Sequence, residues 1–323
     1  MRVPVRLLLS ALLLLFTGGC GRGTGEHIDV AHNSWPGYEP LSLAQDEKLY
    51  RGAEVLVHRA ANATDVIKAI EVDAVDIAAV TLDEAVLLQK KIDEPLVIIA
   101  VLDISNGGDA LIAKPDIASL DELKGKHVGV EASALGAFVL SRALDFSKET
   151  GVHQLQIIPL TYDRHYDAYQ EGEVDAIVTF EPVKTKLIEA GGKVLFDSSM
   201  IPNEIIDVLV VKAHTAREKA NAVEAVVRGY FDALRTIKAD PVRTNRIMCE
   251  NERVNVATFL RAKEGVRVPG LEENRALLSP SSDTLKQAIG HIEAVVSHDN
   301  AAPRDTTAGL TITDTFLPPE QAL

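Results

Sequence analysis

Val75-Asp76-Ile77-Ala78-Ala79-Val80-Thr81 in one half of the chain is echoed by Val174-Asp175-Ala176-Ile177-Val178-Thr179 in the other, once a single gap is allowed. In each phrase an acid precedes an apolar, β-branched run of strand length, and a threonine stands where the strand would give way to a helix. A strand-to-helix unit written twice predicts two sheets of similar build.

Working outward, the same alternation recurs. Candidate strands lie at 28–31, 54–59, 77–80, 96–102, 110–113, 127–130, 155–159, 176–179 and 208–211. Candidate helices occupy 40–47, 63–71, 82–90, 135–150, 162–170 and 182–190. This order, βαβαβα twice, predicts α/β layers with mostly parallel strands. Open α/β sheets take ligands beyond the carboxyl ends of their strands, so two such sheets face to face make a cleft. Beyond residue 211 the pattern turns helical. The stretch 217–238 carries Val223, Val226, Val227, Tyr230, Phe231 and Leu234 at helical spacing and stops before Asp240-Pro241, with further helices at 255–263 and 281–296.

Of 323 residues, 46% are hydrophobic, 25% charged and 5% aromatic, a globular composition. The length exceeds the roughly 250–300 residues at which a single core stops growing, which favours two lobes. Thirty-three basic against 47 acidic residues leave a net charge of −14, and without a basic face nucleic acid is excluded as a partner. Cys20 and Cys249 form no disulfide framework or zinc pattern, and Cys249 reads as a small buried side chain. The nine histidines show no metal spacing, and no nucleophile elbow, phosphate loop or dinucleotide motif is present, so no catalytic residue, metal or cofactor is expected.

Residues 1–19 combine Arg2 and Arg6, an apolar run from Leu7 to Phe16, and Thr17-Gly18-Gly19 before Cys20, the build of an export signal. The run is shorter than the roughly 20 residues a spanning helix needs. The segment resembles a bacterial lipoprotein signal, with Thr17 where that pattern usually has leucine. The resemblance implies cleavage and acylation of Cys20; a plain secretory signal with an incidental cysteine is the alternative. Residues 20–26 then form a tether to the folded body.

Asn33-Ser34-Trp35-Pro36-Gly37-Tyr38-Glu39-Pro40-Leu41, followed by Ala44 and Leu49-Tyr50, resembles the opening of the nitrate, sulfonate and taurine group of solute-binding proteins from ABC importers. Further motifs follow in that group's order: Asp103-Ile104-Ser105-Asn106-Gly107-Gly108-Asp109-Ala110, the Asp-Glu-Leu-Lys-Gly-Lys core of 120–130, and 172–176 through Phe180-Glu181-Pro182. The likeness covers 28–235. Phe180 stands where the group often has tryptophan before Glu-Pro. The resemblance implies an α/β, two-lobed periplasmic-binding-protein type 2 fold with discontinuous lobes and a ligand cleft between them. Lobe one is expected at 27–104 and 208–323, lobe two at 105–207, with crossings near 105–109 and 203–207.

In that cleft, Trp35 next to Pro36-Gly37 is placed to roof the ligand and Tyr38 to offer a hydroxyl; lobe packing and helix-start packing are their alternatives. Ser133 precedes a helix whose free N–H groups would hold an anionic oxygen, although capping alone explains a serine there. Thr81 and Thr179 end equivalent strands, where turn formation is the other explanation. Ser105, Asn106 and Asp109 occupy a glycine-rich crossing, as contacts or as a hinge. Phe180 keeps an aromatic face, and Glu181 is a partner for an amino group or simply a favourable charge at a helix start. With Asp103 and Asp109, Glu181 fits a zwitterion better than a bare oxyanion.

These features lead to the expectation of an extracytoplasmic, membrane-anchored lipoprotein, a monomer rather than an enzyme. It would bind a sulfonate-, taurine- or nitrate-like or zwitterionic small molecule and hand it to an ABC permease. An enzyme on the same fold, resembling its pyrimidine- or menaquinone-pathway relatives, and a ligand-sensing ectodomain are the alternatives.

Overall fold

The computed structural model describes residues 26–296 and 309–319; the signal, Cys20 and most of the tether lie outside them. The first layer follows the alternation of the sequence: β1 (Glu26–His32), α1 (Glu39–Asp46), β2 (Ala53–Arg59), α2 (Ala63–Glu71), β3 (Ile77–Thr81), α3 (Leu82–Lys91) and β4 (Leu96–Ser105). The chain then crosses through residues 106–108 into a second layer. That layer holds β5 (Asp109–Ala113), β6 (His127–Glu131), α4 (Ala134–Leu144), β7 (Gln156–Leu160), α5 (His165–Glu171), β8 (Ala176–Phe180), α6 (Val183–Glu189) and β9 (Lys193–Asp197). Residues 198–205 lead back to β10 (Ile206–Lys212). After it come α7 (Ala213–Glu218), α8 (Ala220–Ala239), α9 (Pro241–Asn251), α10 (Val256–Glu264), β11 (Val266–Arg267), α11 (Leu271–Leu278), α12 (Thr284–Val296) and β12 (Thr311–Ile312).

Two sheets result, in the orders β11-β4-β10-β3-β1-β2 (with β12 also on β4) and β7-β6-β8-β5-β9. The sheets are mixed rather than mostly parallel. β1 runs parallel to β2 and β3, and β6 to β7 and β8, whereas β10 runs against β3 and β4, and β5 against β8 and β9. The reason is the crossing. A strand that enters a sheet straight from the opposite lobe starts at the edge where the other strands end, and must run the other way.

Several elements depart from expectation. The helix expected at 135–150 stops at Leu144 because the Asp121 carboxylate accepts the N–H groups of Lys148 (3.1 Å) and Glu149 (3.0 Å), holding a turn. The helix at 217–238 is interrupted at Lys219. Glu26, assigned to the tether, pairs with Ala53 as the first residue of β1. β9, α9 and α11 were not anticipated.

α8 buries Ala222, Val223, Val226, Val227 and Tyr230 against the first sheet, and the Tyr230 hydroxyl donates to the Leu102 carbonyl at 2.7 Å. Register slips between β4 and β10 accompany a side-chain patch on β4. Asn274 Oδ1 accepts from Val101 N–H at 2.7 Å, and its Nδ2 donates to the Val101 carbonyl at 3.0 Å, with the side chain fully buried. Among the described residues no helix is long and apolar enough to cross a membrane.

Asn274→Ala strands two buried backbone groups, and urea denaturation should show a loss of about 2–4 kcal/mol; a loss under about 1 kcal/mol would contradict this role.

Candidate ligand-binding site

β1, β3 and β4 end, and β10 begins, along the edge that faces the ends of β6 and β8 and the start of β5. Between these edges lies a cavity of ≈ 20 Å³, room on the order of one water molecule. The first sheet's side contributes Asn33, Trp35, Tyr38, Ala63, Thr81, Glu84 and Asp207, and the second Asp109, Glu131, Leu135 and Phe180. Trp35 and Phe180 meet edge to face across the divide, with ring centroids 5.9 Å apart and planes at 76°. Phe180 in turn stacks on Tyr162 at 4.1 Å and 4°. The two halves touch, so this is a closed arrangement.

The Trp35 loop is held from several sides. Trp35 N–H donates to Glu252 Oε1 at 3.1 Å, and the Ser34 hydroxyl donates to Glu252 Oε2. Arg59 bridges the buried carboxylates of Glu39 and Glu252, while the indole Nε1 donates to both oxygens of Asp103 at 3.0 and 3.1 Å. This packing requires missing side chains nearby. A Cβ on Gly37 would overlap the Asp103 carboxylate, and one on Gly108 would come within 2.5 Å of the Trp35 ring and 2.9 Å of the Gly265 carbonyl.

Acidic groups dominate the lining. Burial raises Asp103, Asp109 and Glu131 to about 7, and burial with Asp83 and Glu131 nearby raises Glu84 to about 8. Asp207 is driven well above the carboxylate range by burial and by Asp103, and its Oδ1 accepts the Tyr38 hydroxyl. The basic groups nearby are engaged elsewhere. Arg59 pairs with Glu39 and Glu252, and Lys184 Nζ donates to the Gly107 carbonyl and lies 3.9 Å from Glu181. Burial holds His32 at about 3 and His165 at about 4, so both are neutral near pH 7. Among the described residues no group of three or more metal-ligating side chains is placed to hold an ion.

Of the residues singled out in the sequence, the structure brings Trp35, Tyr38, Thr81, Asp109 and Phe180 to this cavity. Thr81 also caps α3 through a reciprocal box with Glu84. Ser133 caps α4, accepting from Gly136 N–H at 3.2 Å, and faces a larger groove between α2, α3 and α4. Ser105 lies in the crossing, its hydroxyl 2.7 Å from that of Ser198. Asn106 is exposed and contributes its backbone N–H to the Gly265 carbonyl. Thr179 is buried against His165 Nδ1 at 3.0 Å, and Glu181 accepts from the N–H and hydroxyl of Thr185, both at 3.0 Å; neither lines the cavity. Thr179 opens no helix, since α6 begins only at Val183 with Pro182 as its cap. The sequence reading missed Asn33, Ala63, Glu84, Glu131, Leu135 and Asp207. Glu84 carried a signal, the Thr-x-x-Glu capping pattern, but that pattern accounts for the glutamate without a ligand.

Residues 35–244 match the model of the family described as NMT1/THI5 like. No curated protein matches the sequence. Solved structures share the fold. The alkanesulfonate-binding protein SsuA from Xanthomonas axonopodis pv. citri, bound to MOPS, is 13% identical with a TM-score of 0.73, over 88% of this chain and 97% of that one. The periplasmic aliphatic sulphonate binding protein SsuA from Escherichia coli is 14% identical with a TM-score of 0.70, over 88% and 97%. The desulfurization enzyme DSZB is 13% identical with a TM-score of 0.64, over 90% and 97%. The fold is thus the two-lobed periplasmic-binding-protein fold.

The raised carboxyls link stability to pH. Their folded values lie above the unfolded value near 4, so the stability they confer is full at low pH and is lost as pH rises through about 7 to 8. The buried histidines act the other way, but only below about pH 6.5. Urea denaturation of the ligand-free protein should therefore show stability falling between pH 6.5 and 8.5; a rise across that window would contradict the assignment.

Proposed function

The chain belongs to the NMT1/THI5-like family, and on that footing we propose that it is an extracytoplasmic solute-binding protein of an ABC importer. It captures a small polar organic solute by closing its lobes, residues 27–104 with 208–323 on one side and 105–207 on the other. The observation that carries this reading is the cavity at the facing strand ends, bridged by Trp35 and Phe180. Closure works because a solute held by both lobes makes contacts that the open state lacks, which shifts the equilibrium by its differential affinity.

The crossings are built to bend together. Ser198 Oγ sits 2.7 Å from Ser105 Oγ and accepts the Gly107 N–H at 2.7 Å, tying one crossing to the other. Gly107 has φ +102°, a conformation open to glycine. On this reading Trp35 and Tyr38 contact the solute from one lobe, Asp109 and Phe180 from the other, and Ser105 serves the hinge. Ser133 offers the N-terminus of α4 to a larger ligand in the neighbouring groove. The protein is a monomer, exported by residues 1–19 and anchored by acylated Cys20, which presents it to a permease; these N-terminal residues lie outside the described ones.

A second reading, an enzyme on the same fold, draws on the likeness to a desulfurization enzyme. Turnover of a solute in place of stoichiometric capture would favour it.

A thermal-shift screen of sulfonates, taurine-like zwitterions, nitrate, pyrimidines and ureas should find a solute that raises Tm. That solute should bind one per chain by titration calorimetry and change the fluorescence of Trp35, the single tryptophan. Binding without any change in Trp35 emission would place the ligand elsewhere. Cys20→Ala should release the protein from membranes into the soluble fraction; continued attachment would overturn the anchor.

A further inference from the structure

We infer that the solute carries a positively charged N–H donor group, an ammonium, amidinium or guanidinium, which seats between Glu84 and Glu131 and draws the lobes together. This rests on the solute-binding reading and specifies the chemistry of the same cavity.

Glu84 stands in the first turn of α3 on one lobe and Glu131 ends β6 on the other; they are 2% and 4% exposed, and both line the cavity. Each engages one oxygen nearby in the chain, and the Ala63 N–H at the start of α2 also acts on Glu131 from the other lobe. Glu84 Oε2 accepts the Thr81 N–H at 3.1 Å, and Glu131 Oε2 lies 3.5 Å from the Ser133 hydroxyl. The other oxygen of each, Oε1, is buried with no hydrogen-bond partner. Buried carboxylate oxygens without donors are costly and uncommon, and here two such atoms border one small space from opposite lobes.

The surroundings decide the sign of the missing partner. Asp109 and Asp207 share the lining and Asp103 lies behind them, against Trp35. The basic side chains nearby, Arg59 and Lys184, hold Glu39, Glu252 and the Gly107 carbonyl. An anion entering here would add like charge to a low-dielectric site. A cation with two or more N–H groups gives each free oxygen a donor and forms charge-assisted bonds to both lobes. The rings of Trp35 and Phe180 beside it suit a cationic or planar group. Closing on nothing brings two carboxylates together, whereas closing on such a cation replaces repulsion by attraction, which is the differential contact that closure requires.

The test is calorimetric titration at pH 8 with methylguanidinium, methylammonium, neutral urea, methanesulfonate and taurine. Wild-type protein should be compared with Glu84→Gln and Glu131→Gln, each first shown by urea denaturation to fold. Glutamine preserves the reciprocal cap with Thr81, so Glu84→Gln should fold, and Glu131→Gln probes the second lobe independently. At least one cation should bind the wild type while urea and methanesulfonate do not, and each substitution should weaken it tenfold or more. If methanesulfonate or urea binds in preference to every probe that bears an N–H cation, taurine with its ammonium included, or if the substitutions leave cation affinity unchanged, the charge assignment is overturned while the receptor reading stands. If no probe binds, the charge assignment falls, and the receptor reading is decided by the thermal-shift screen alone.

Discussion

Carboxylates crowded at the meeting of two lobes are the constraint on which the remaining features depend. Glu84, Asp109, Glu131 and Asp207 share a cavity of ≈ 20 Å³, and each is held toward its protonated form chiefly by burial, with Asp83 and Glu131 adding to the effect on Glu84 and Asp103 and Asp109 to that on Asp207. Such a group of acids stays compact only by taking up protons or a partner of opposite charge. Either route links the packing of the two lobes to what is bound between them.

The fold makes this crowding from ordinary parts. Strands deliver their carboxyl ends to one edge of each sheet, and the crossing strands β5 and β10 begin at the same edge, carrying Asp109 and Asp207 with them. The α3 cap places Glu84 one turn beyond β3. The Trp35 loop, fastened by Glu252 and Asp103, supplies the aromatic surface that meets Phe180. Glycines at 37 and 108 allow these pieces to approach. Arg59 pairs with the buried Glu39 and Lys184 lies 3.9 Å from Glu181, and none of these four lines the acidic cavity.

Much of the fold was legible because it rests on local periodicity. The apolar runs of β1, β3, β6 and β8 and the spacing along α8 mark their elements without reference to distant residues. Trp35, Tyr38 and Asp109 were legible for a related reason, since each sits beside a Pro-Gly or Gly-Gly step at a strand-to-loop junction. Glu131 and Asp207 were not, because nothing in their neighbourhood along the chain distinguishes them. Their meaning arises when lobes encoded far apart come face to face. Thr179 misled through its echo of Thr81: after Thr81 the helix starts at once, whereas Phe180, Glu181 and Pro182 intervene after Thr179, and its hydroxyl turns to His165. Asn106 misled through the loop that carries it, where the close approach is made by Gly108 and the asparagine is left outside.

Small-angle X-ray scattering of the ligand-free protein at pH 6 and pH 8.5 addresses the link between charge and closure most directly. Ionisation of the cavity acids predicts a larger radius of gyration at pH 8.5, as the lobes part. An unchanged radius, or a smaller one at pH 8.5, would contradict the dependence of closure on neutralising those acids.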